Sequence, residues 1–257
     1  MFEQIRSNQR RSAALVVFMA ALLLATGWVL GEMLAPGAGA GGLLIAFALW
    51  LVLTLVAYFQ GDRIFLGMSG AREVPPGALP RLSNIVEEMK IAAGLPRMPR
   101  IFVIDDPSPN AFATGRSSET AAVAVTTGLL ERLNRDELQG VVAHEVGHIK
   151  NRDILFMLMV GVMMGAIVLL ADVARRALWR GGRRRSSGRN AGGAHALMML
   201  AGLLLAILAP ILAQAIYFAC SRRREYLADA SGALFTRNPE GLASALEKIA
   251  MRPASPL

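Results

Sequence analysis

The sequence is poor in the residues that most often carry metal and redox chemistry. Its 257 residues include one cysteine and three histidines. The single cysteine, Cys220, excludes an internal disulfide and any thiolate zinc cluster. Aromatic residues make up only 6%. No recognition motif for nucleic acid accompanies the basic residues, which mostly flank apolar runs. The net charge of +8 and the pI near 10.7 therefore read as membrane-edge charge, and nucleic acid is not an expected partner.

Charge is also scarce in four long stretches, 13–30, 41–59, 154–174 and 196–220, which together hold only Asp172. Each approaches the ~20 residues a helix needs to cross ~30 Å of hydrocarbon. They account for a composition that is 54% hydrophobic, with a mean hydropathy of +0.45. Ordinary soluble domains run at about 45–50% apolar even with glycine counted. The lipid bilayer is thus an expected partner. The first run is longer than the ~7–15 residues of a signal-peptide core, and a second run follows at once, so it reads as a retained anchor.

Arg6, Arg10 and Arg11 precede the first run, whereas the connector 31–42 holds no Lys or Arg. The positive-inside tendency puts the N-terminus in the cytoplasm and returns the chain there near residues 60–63. The connector between the third and fourth runs carries Arg175, Arg176, Arg180, Arg183, Arg184, Arg185 and Arg189. Two crossings would put this loop outside, against that tendency; a hairpin that does not cross would keep it inside. Either way, residue 221 returns to the side where His148 was left.

Residues 61–153 have the composition of an α/β segment. Leu82, Ile85, Met89 and Ala92 recur at helical spacing within 80–93. Residues 100–105, 110–115 and 121–126 read as short strands, separated by the turn signals Asp106-Pro107-Ser108-Pro109 and Arg116-Ser117-Ser118-Glu119. Asn134, followed three residues later by Glu137, has the form of a capping box. The helix it opens carries Leu138, Val141 and Val142 into HEVGHIKNRD, which starts at His144.

In that helix His144 and His148 are one turn apart and share a face, so two imidazole nitrogens can meet one ion. Glu145 is poorly placed as a ligand but well placed as a general base toward an attacking water. Gly147 leaves room on a flank, for close packing or a substrate backbone. A catalytic zinc usually takes three protein ligands. Asp153, five residues past His148, lies too far around a continuous helix to converge, and His195 opens the fourth apolar run. Glu225 and Asp229, four apart in SRRREYLADA (221–230), share a face of a polar helix. Glu225 is the expected third ligand, and Asp229 an acceptor for the far nitrogen of a ligating histidine. Arg222, Arg223, Arg224 and Tyr226 are candidates for stabilising an oxyanion. Asn110, Ala111 and Phe112 are expected to meet an extended substrate by strand addition.

HEVGHIKNRD, SRRREYLADA and NAFATG (110–115) together resemble the HtpX-type membrane zinc endopeptidases, relatives of the prenyl-protein CAAX proteases. The resemblance runs across nearly the whole chain. It implies one zinc held by His144, His148 and Glu225, catalysis by Glu145, and cytoplasm-facing cleavage of misfolded or damaged membrane proteins in the cell inner membrane. Two other classes compete: a prenyl-protein processing enzyme, and a membrane adaptor with a structural zinc. The expected fold is a mainly α membrane protein with a zincin-like α+β metalloprotease domain and a small sheet. Its expected parts are two transmembrane helices (1–60), a first protease segment with the motif helix (61–153), two hydrophobic helices joined by the arginine loop (154–220) and a second protease segment with the Glu-ligand helix (221–257).

Overall fold

The computed structural model describes residues 2–184 and 193–251. The chain divides into two compact units, Met1–Ala57 with Leu158–Ser221, and Tyr58–Met157 with Arg222–Leu257.

The first unit is helical. Helices α1 (Phe2–Leu34) and α2 (Gly39–Met68) are joined by a tight connector, and Glu32 accepts hydrogen bonds from the backbone N–H of Gly37 and Gly39, each at 2.9 Å. A carboxylate there satisfies donors that the start of α2 would leave unpaired. Further along, α6 (Ile154–Arg184) and α7 (Gly193–Thr236) supply the remaining apolar length. Among the described residues, three helices contain a segment long and apolar enough to cross a membrane: Ala13–Leu34, Gly39–Met68 and Ile154–Val173. Large apolar side chains such as Val17, Leu44, Ile45 and Leu169 are exposed on them, a surface that suits lipid and not water. The fourth apolar run does not form a separate helix. It is continuous with the polar stretch that follows, and its apolar described portion is the shorter Gly202–Ala215. The basic connector is helical as far as Arg184, and its remainder lies outside the described residues.

The second unit is built on a four-stranded sheet. Its strands are β1 (Arg72–Glu73), β2 (Arg100–Ile104), β3 (Ala111–Thr114) and β4 (Ala122–Thr126), in the order β1-β2-β4-β3. β2 and β4 run parallel; β1 and β3 pair antiparallel at the two edges. Alternation along the strands divides the side chains between two cores. Ile101, Val123 and Val125 pack with α3 (Pro80–Ala93) and α5 (Arg135–Asn151). Phe102, Ala122 and Ala124 pack on the other face with Leu66 from the end of α2. β4 is buried at all five positions, as a central strand covered on both faces must be.

α3 spans the residues its periodicity predicts and ends on Gly94 in the left-handed region, φ 62°. Its buried stripe is Leu82, Ile85, Val86, Met89 and Ala93. Ala92, expected in that stripe, is exposed, because the 3.6-residue period drifts by one position over three turns. Short α4 (Thr127–Arg132) and α8 (Pro239–Ala250) have no counterpart in the sequence reading.

α5 opens with a complete capping box: Asn134 Oδ1 accepts from Glu137 N–H at 3.0 Å, and the Glu137 carboxylate accepts from Asn134 N–H at 2.8 Å. Glu137 also accepts Ser244 Oγ–H at 2.6 Å and Lys248 Nζ–H at 2.8 Å, so one buried carboxylate ties α5 to α8. The Lys248 and Ser244 hydrogen bonds lower its pKa to about 2, from 4.5. Glu137→Gln removes the charge and weakens cap and tie together, at an expected loss of about 1–3 kcal/mol. Because the folded pKa lies below the unfolded one, this stabilisation is full above pH 4.5 and is lost as pH falls toward 2. Thermal melts of wild type and Glu137→Gln should therefore differ most near neutral pH and converge in acid; an unchanged gap would overturn the assignment.

Candidate metal centre

α5 is a regular helix through its motif, so His144 and His148 present their rings on one face, edge to face with centroids 4.8 Å apart. Their Nε2 atoms are 3.2 Å apart. Glu225 Oε2 lies 3.3 Å from Nε2 of His144 and 3.7 Å from Nε2 of His148. One donor atom from each of the three residues thus falls within 4.8 Å of the others. The far nitrogens are held as well. His144 Nδ1 is 2.8 Å from Asp229 Oδ1, and His148 Nδ1 is 3.5 Å from Asp153 Oδ2. A carboxylate on Nδ1 draws the ring proton there and leaves Nε2 as a lone pair.

Asp153 was expected to lie too far around the helix. It does not coordinate with the triad, but the helix stops before it: Arg152 takes the left-handed region, φ 60°, its backbone N–H donates to Ile149 O at 3.2 Å, and that of Asp153 donates to His148 O at 3.1 Å. That reversal brings the Asp153 carboxylate back beside His148. Arg224 fixes it there, donating through Nη1 to Asp153 Oδ1 at 3.0 Å and to Asp153 O at 3.2 Å. The Arg224 guanidinium also stacks over Phe156, 3.7 Å from the ring centroid. The pair is buried on both sides, so neither partner is dispensable alone. Arg224, once among the oxyanion candidates, is thus engaged elsewhere. Arg222, Arg223 and Tyr226 are exposed. Asp153 and Arg224 are the residues that spacing along an ideal helix missed.

α7 reaches the histidines because glycine removes the side chains between the helices. A Cβ on Gly147 would come within 3.1 Å of Ala228 O and 3.2 Å of Ser231 Cβ; one on Gly232 would meet His144 N at 3.2 Å. Ser231 Oγ donates to Leu227 O at 2.7 Å and accepts from Asn151 Nδ2 at 3.3 Å, pinning the same crossing. Of the two uses expected for the space at Gly147, the structure shows helix packing.

Glu145 is buried beside β3. Burial pushes its pKa up; the two histidines and a backbone hydrogen bond from Ala113 act the other way. Hydrogen bonds to His144 and then His148 hold Glu225 down at about 2. Burial disfavours the charged form of both histidines, but Glu225 and Glu145 raise His144, and Asp153 and Glu225 raise His148 to about 10. Three electron-pair donors converging in this way call for positive charge. The sheet parity then identifies the open edge of β3. Thr126 N–H donates to Asn110 O, and Phe112 and Thr114 lie opposite Ala124 and Ala122. The backbones of Ala111 and Ala113 therefore face away from β4. Of the three residues expected to meet a substrate, Ala111 alone has its backbone on that edge, and the ring of Phe112 packs against Phe65, 4.8 Å between centroids.

The family model for peptidase family M48 matches residues 78–255. The chain belongs to peptidase family M48. This M48 chain is 45% identical over 255 residues to a protease HtpX homolog of Dictyoglomus turgidum, covering 97% of this chain and 79% of that one. It is 45% identical over 253 residues to one from Caldanaerobacter subterraneus (97% and 82%) and 44% identical over 250 residues to one from Streptococcus gordonii (97% and 84%). Its fold resembles the crystal structure of S. mikatae Ste24p, with a TM-score of 0.52 and 18% identity, over 97% of this chain and 59% of that one. The M48 chain is thus a metalloprotease with membrane helices, mostly helical around a small mixed sheet.

The helix crossing yields a test of its own. Gly147→Val inserts three carbons where the first already lacks room. It should destabilise the protein by about 1–3 kcal/mol, read as a lower denaturation midpoint, whereas valine at exposed Ala92 should change it far less.

Proposed function

We propose that this M48 protein is a membrane-embedded, zinc-dependent endopeptidase that cleaves membrane polypeptides in quality control, at a site facing the cytoplasm from the cell inner membrane. Its zinc ligands are His144, His148 and Glu225, one ion per chain, and Glu145 is the general base. The observation that carries this reading is the convergence of His144 Nε2, His148 Nε2 and Glu225 Oε2, separated by 3.2, 3.3 and 3.7 Å. A tetrahedral ion with bonds of ~2.1 Å separates its ligand atoms by ~3.4 Å, so the donor set fits without rearrangement.

Zinc bound there supplies Lewis acidity to a scissile carbonyl and brings a water's pKa toward ~7. The chain's own residues do the rest. Asp229 and Asp153 orient the two imidazoles through Nδ1. Glu145, buried and with its pKa raised by that burial, would accept the water's proton and return it to the leaving amine. The open edge of β3 offers the backbone of Ala111 and the carbonyl of Ala113 to an extended substrate, the Ala113 N–H being held by Glu145. The basic N-terminus and the connector 31–42, which holds no Lys or Arg, support the cytoplasmic orientation.

The test is metal analysis together with proteolysis of a casein-type and a membrane-protein substrate. Glu145→Gln should keep zinc and cleave nothing. Glu225→Ala should lose zinc. Asp229→Ala should weaken zinc about 10–100-fold. Full metal content in Glu225→Ala would move the third ligand elsewhere, and cleavage undiminished by a chelator would end the zinc reading. Cleavage restricted to prenylated peptides would favour the CAAX alternative.

A further inference from the structure

At the end of β3 the chain passes Gly115, φ 125°, where a Cβ would lie 2.8 Å from Ala121 Cα. The turn that follows, the last turn of α5 and the start of α6 surround a cavity of about 480 Å³. That is within the roughly 300–1,000 Å³ of ordinary ligand sites. It lies past the end of β3 and beside Ile149, the residue after His148. Glu145 meets that edge at Ala113, and Gly115 is two residues further on, ~7 Å along an extended strand.

Two arginines line this cavity. Arg116 lies over the ring of Tyr58, 5.7 Å from its centroid. Arg152 is held by the left-handed turn that ends α5, a conformation uncommon for a residue other than glycine. Among the described residues neither makes an ion pair. Ser117 and Ser118 add hydroxyls, and Ile149 an apolar wall. Glu119 also lines the cavity and leaves positive charge in excess. Such a donor set matches a carboxylate, which a guanidinium can bind through two parallel hydrogen bonds.

We infer that this cavity is a specificity site for an acidic residue of the substrate, two to three positions from the bond that is cut, with Arg116 and Arg152 as its carboxylate donors. The inference rests on the endopeptidase reading above. The cavity's place two residues past Ala113, where Glu145 meets β3, and next to His148 favours a substrate side chain over the competing anion, a lipid phosphate reached from the start of α6.

The test uses the zinc-loaded full chain in nanodiscs and a peptide set with Glu or Gln scanned through four positions on each side of the cut. One position should favour Glu over Gln by about tenfold in kcat/KM, through KM. Arg116→Gln and Arg152→Asn, the latter chosen because asparagine tolerates the left-handed region, should bring that ratio to about one. Arg116→Glu should turn the preference toward Lys, which misfolding cannot mimic. The inference is overturned if cleaved peptides show no preference at any position, or if the preference survives both neutral variants. It is also overturned if the variants change only the dependence on phosphatidylglycerol content, which would make the cavity a headgroup site. If wild type cleaves no peptide, the endopeptidase reading fails separately, and anisotropy binding of the same set to Glu145→Gln decides the cavity: equal binding of Glu and Gln peptides overturns it.

Discussion

The contact on which the rest depends is the crossing of α7 over α5 at Gly147 and Gly232. A Cβ at either position would sit 3.1 or 3.2 Å from the facing helix, which must then give by a few tenths of an ångström. That shift is carried to the Glu225 carboxylate, which lies 3.3 and 3.7 Å from the two imidazoles. Protein interiors are packed too densely to absorb such a shift locally. The site therefore inherits its dimensions from a helix–helix distance, which two absent side chains set.

Around that crossing, charge is arranged symmetrically. Each imidazole has a carboxylate behind it, Asp229 for His144 and Asp153 for His148, and both share Glu225 in front. The carboxylates raise both histidines and the imidazoles lower Glu225, so these groups share protons. A divalent ion competes for the same lone pairs and would release those protons. The two supporting carboxylates differ in their own support. Asp153 is buried and braced by Arg224, whereas Asp229 is half-exposed. The contact to His144 is the closer, 2.8 Å against 3.5 Å for His148.

The sheet contributes an edge. Because β4 is fully buried between β2 and β3, β3 is left with one unpaired side, and α5 runs along it. The buried Glu145 meets that strand at Ala113, and past Gly115 the chain lines the cavity flanked by Arg116 and Arg152. Edge strands are usually shielded against wrong pairing. Here the exposed side is short, four residues long, and lies against the motif helix.

Much of the centre was legible in the residues themselves. The capping box at Asn134, the one-turn spacing of His144 and His148, and the matching spacing of Glu225 and Asp229 are local patterns, and local patterns survive translation into helices because the helix period is constant. For the same reason α3 and three of the strands appear where periodicity puts them, give or take a residue. What the sequence could not decide is whatever depends on a departure from regularity or on a distant partner. Asp153 looked remote because an ideal helix was assumed to continue; a left-handed residue at Arg152 turned it back. The fourth apolar run looked like a separate element because hydropathy changes at Ser221, yet the backbone continues unbroken into the Glu225 turn. The brace of Arg224 on Asp153, the parity that turns Ala113 and not Phe112 to the open edge, and the cavity beyond Gly115 join residues far apart in the chain. Sequence spacing carries information about one helix or strand at a time; only packing decides which of their faces meet.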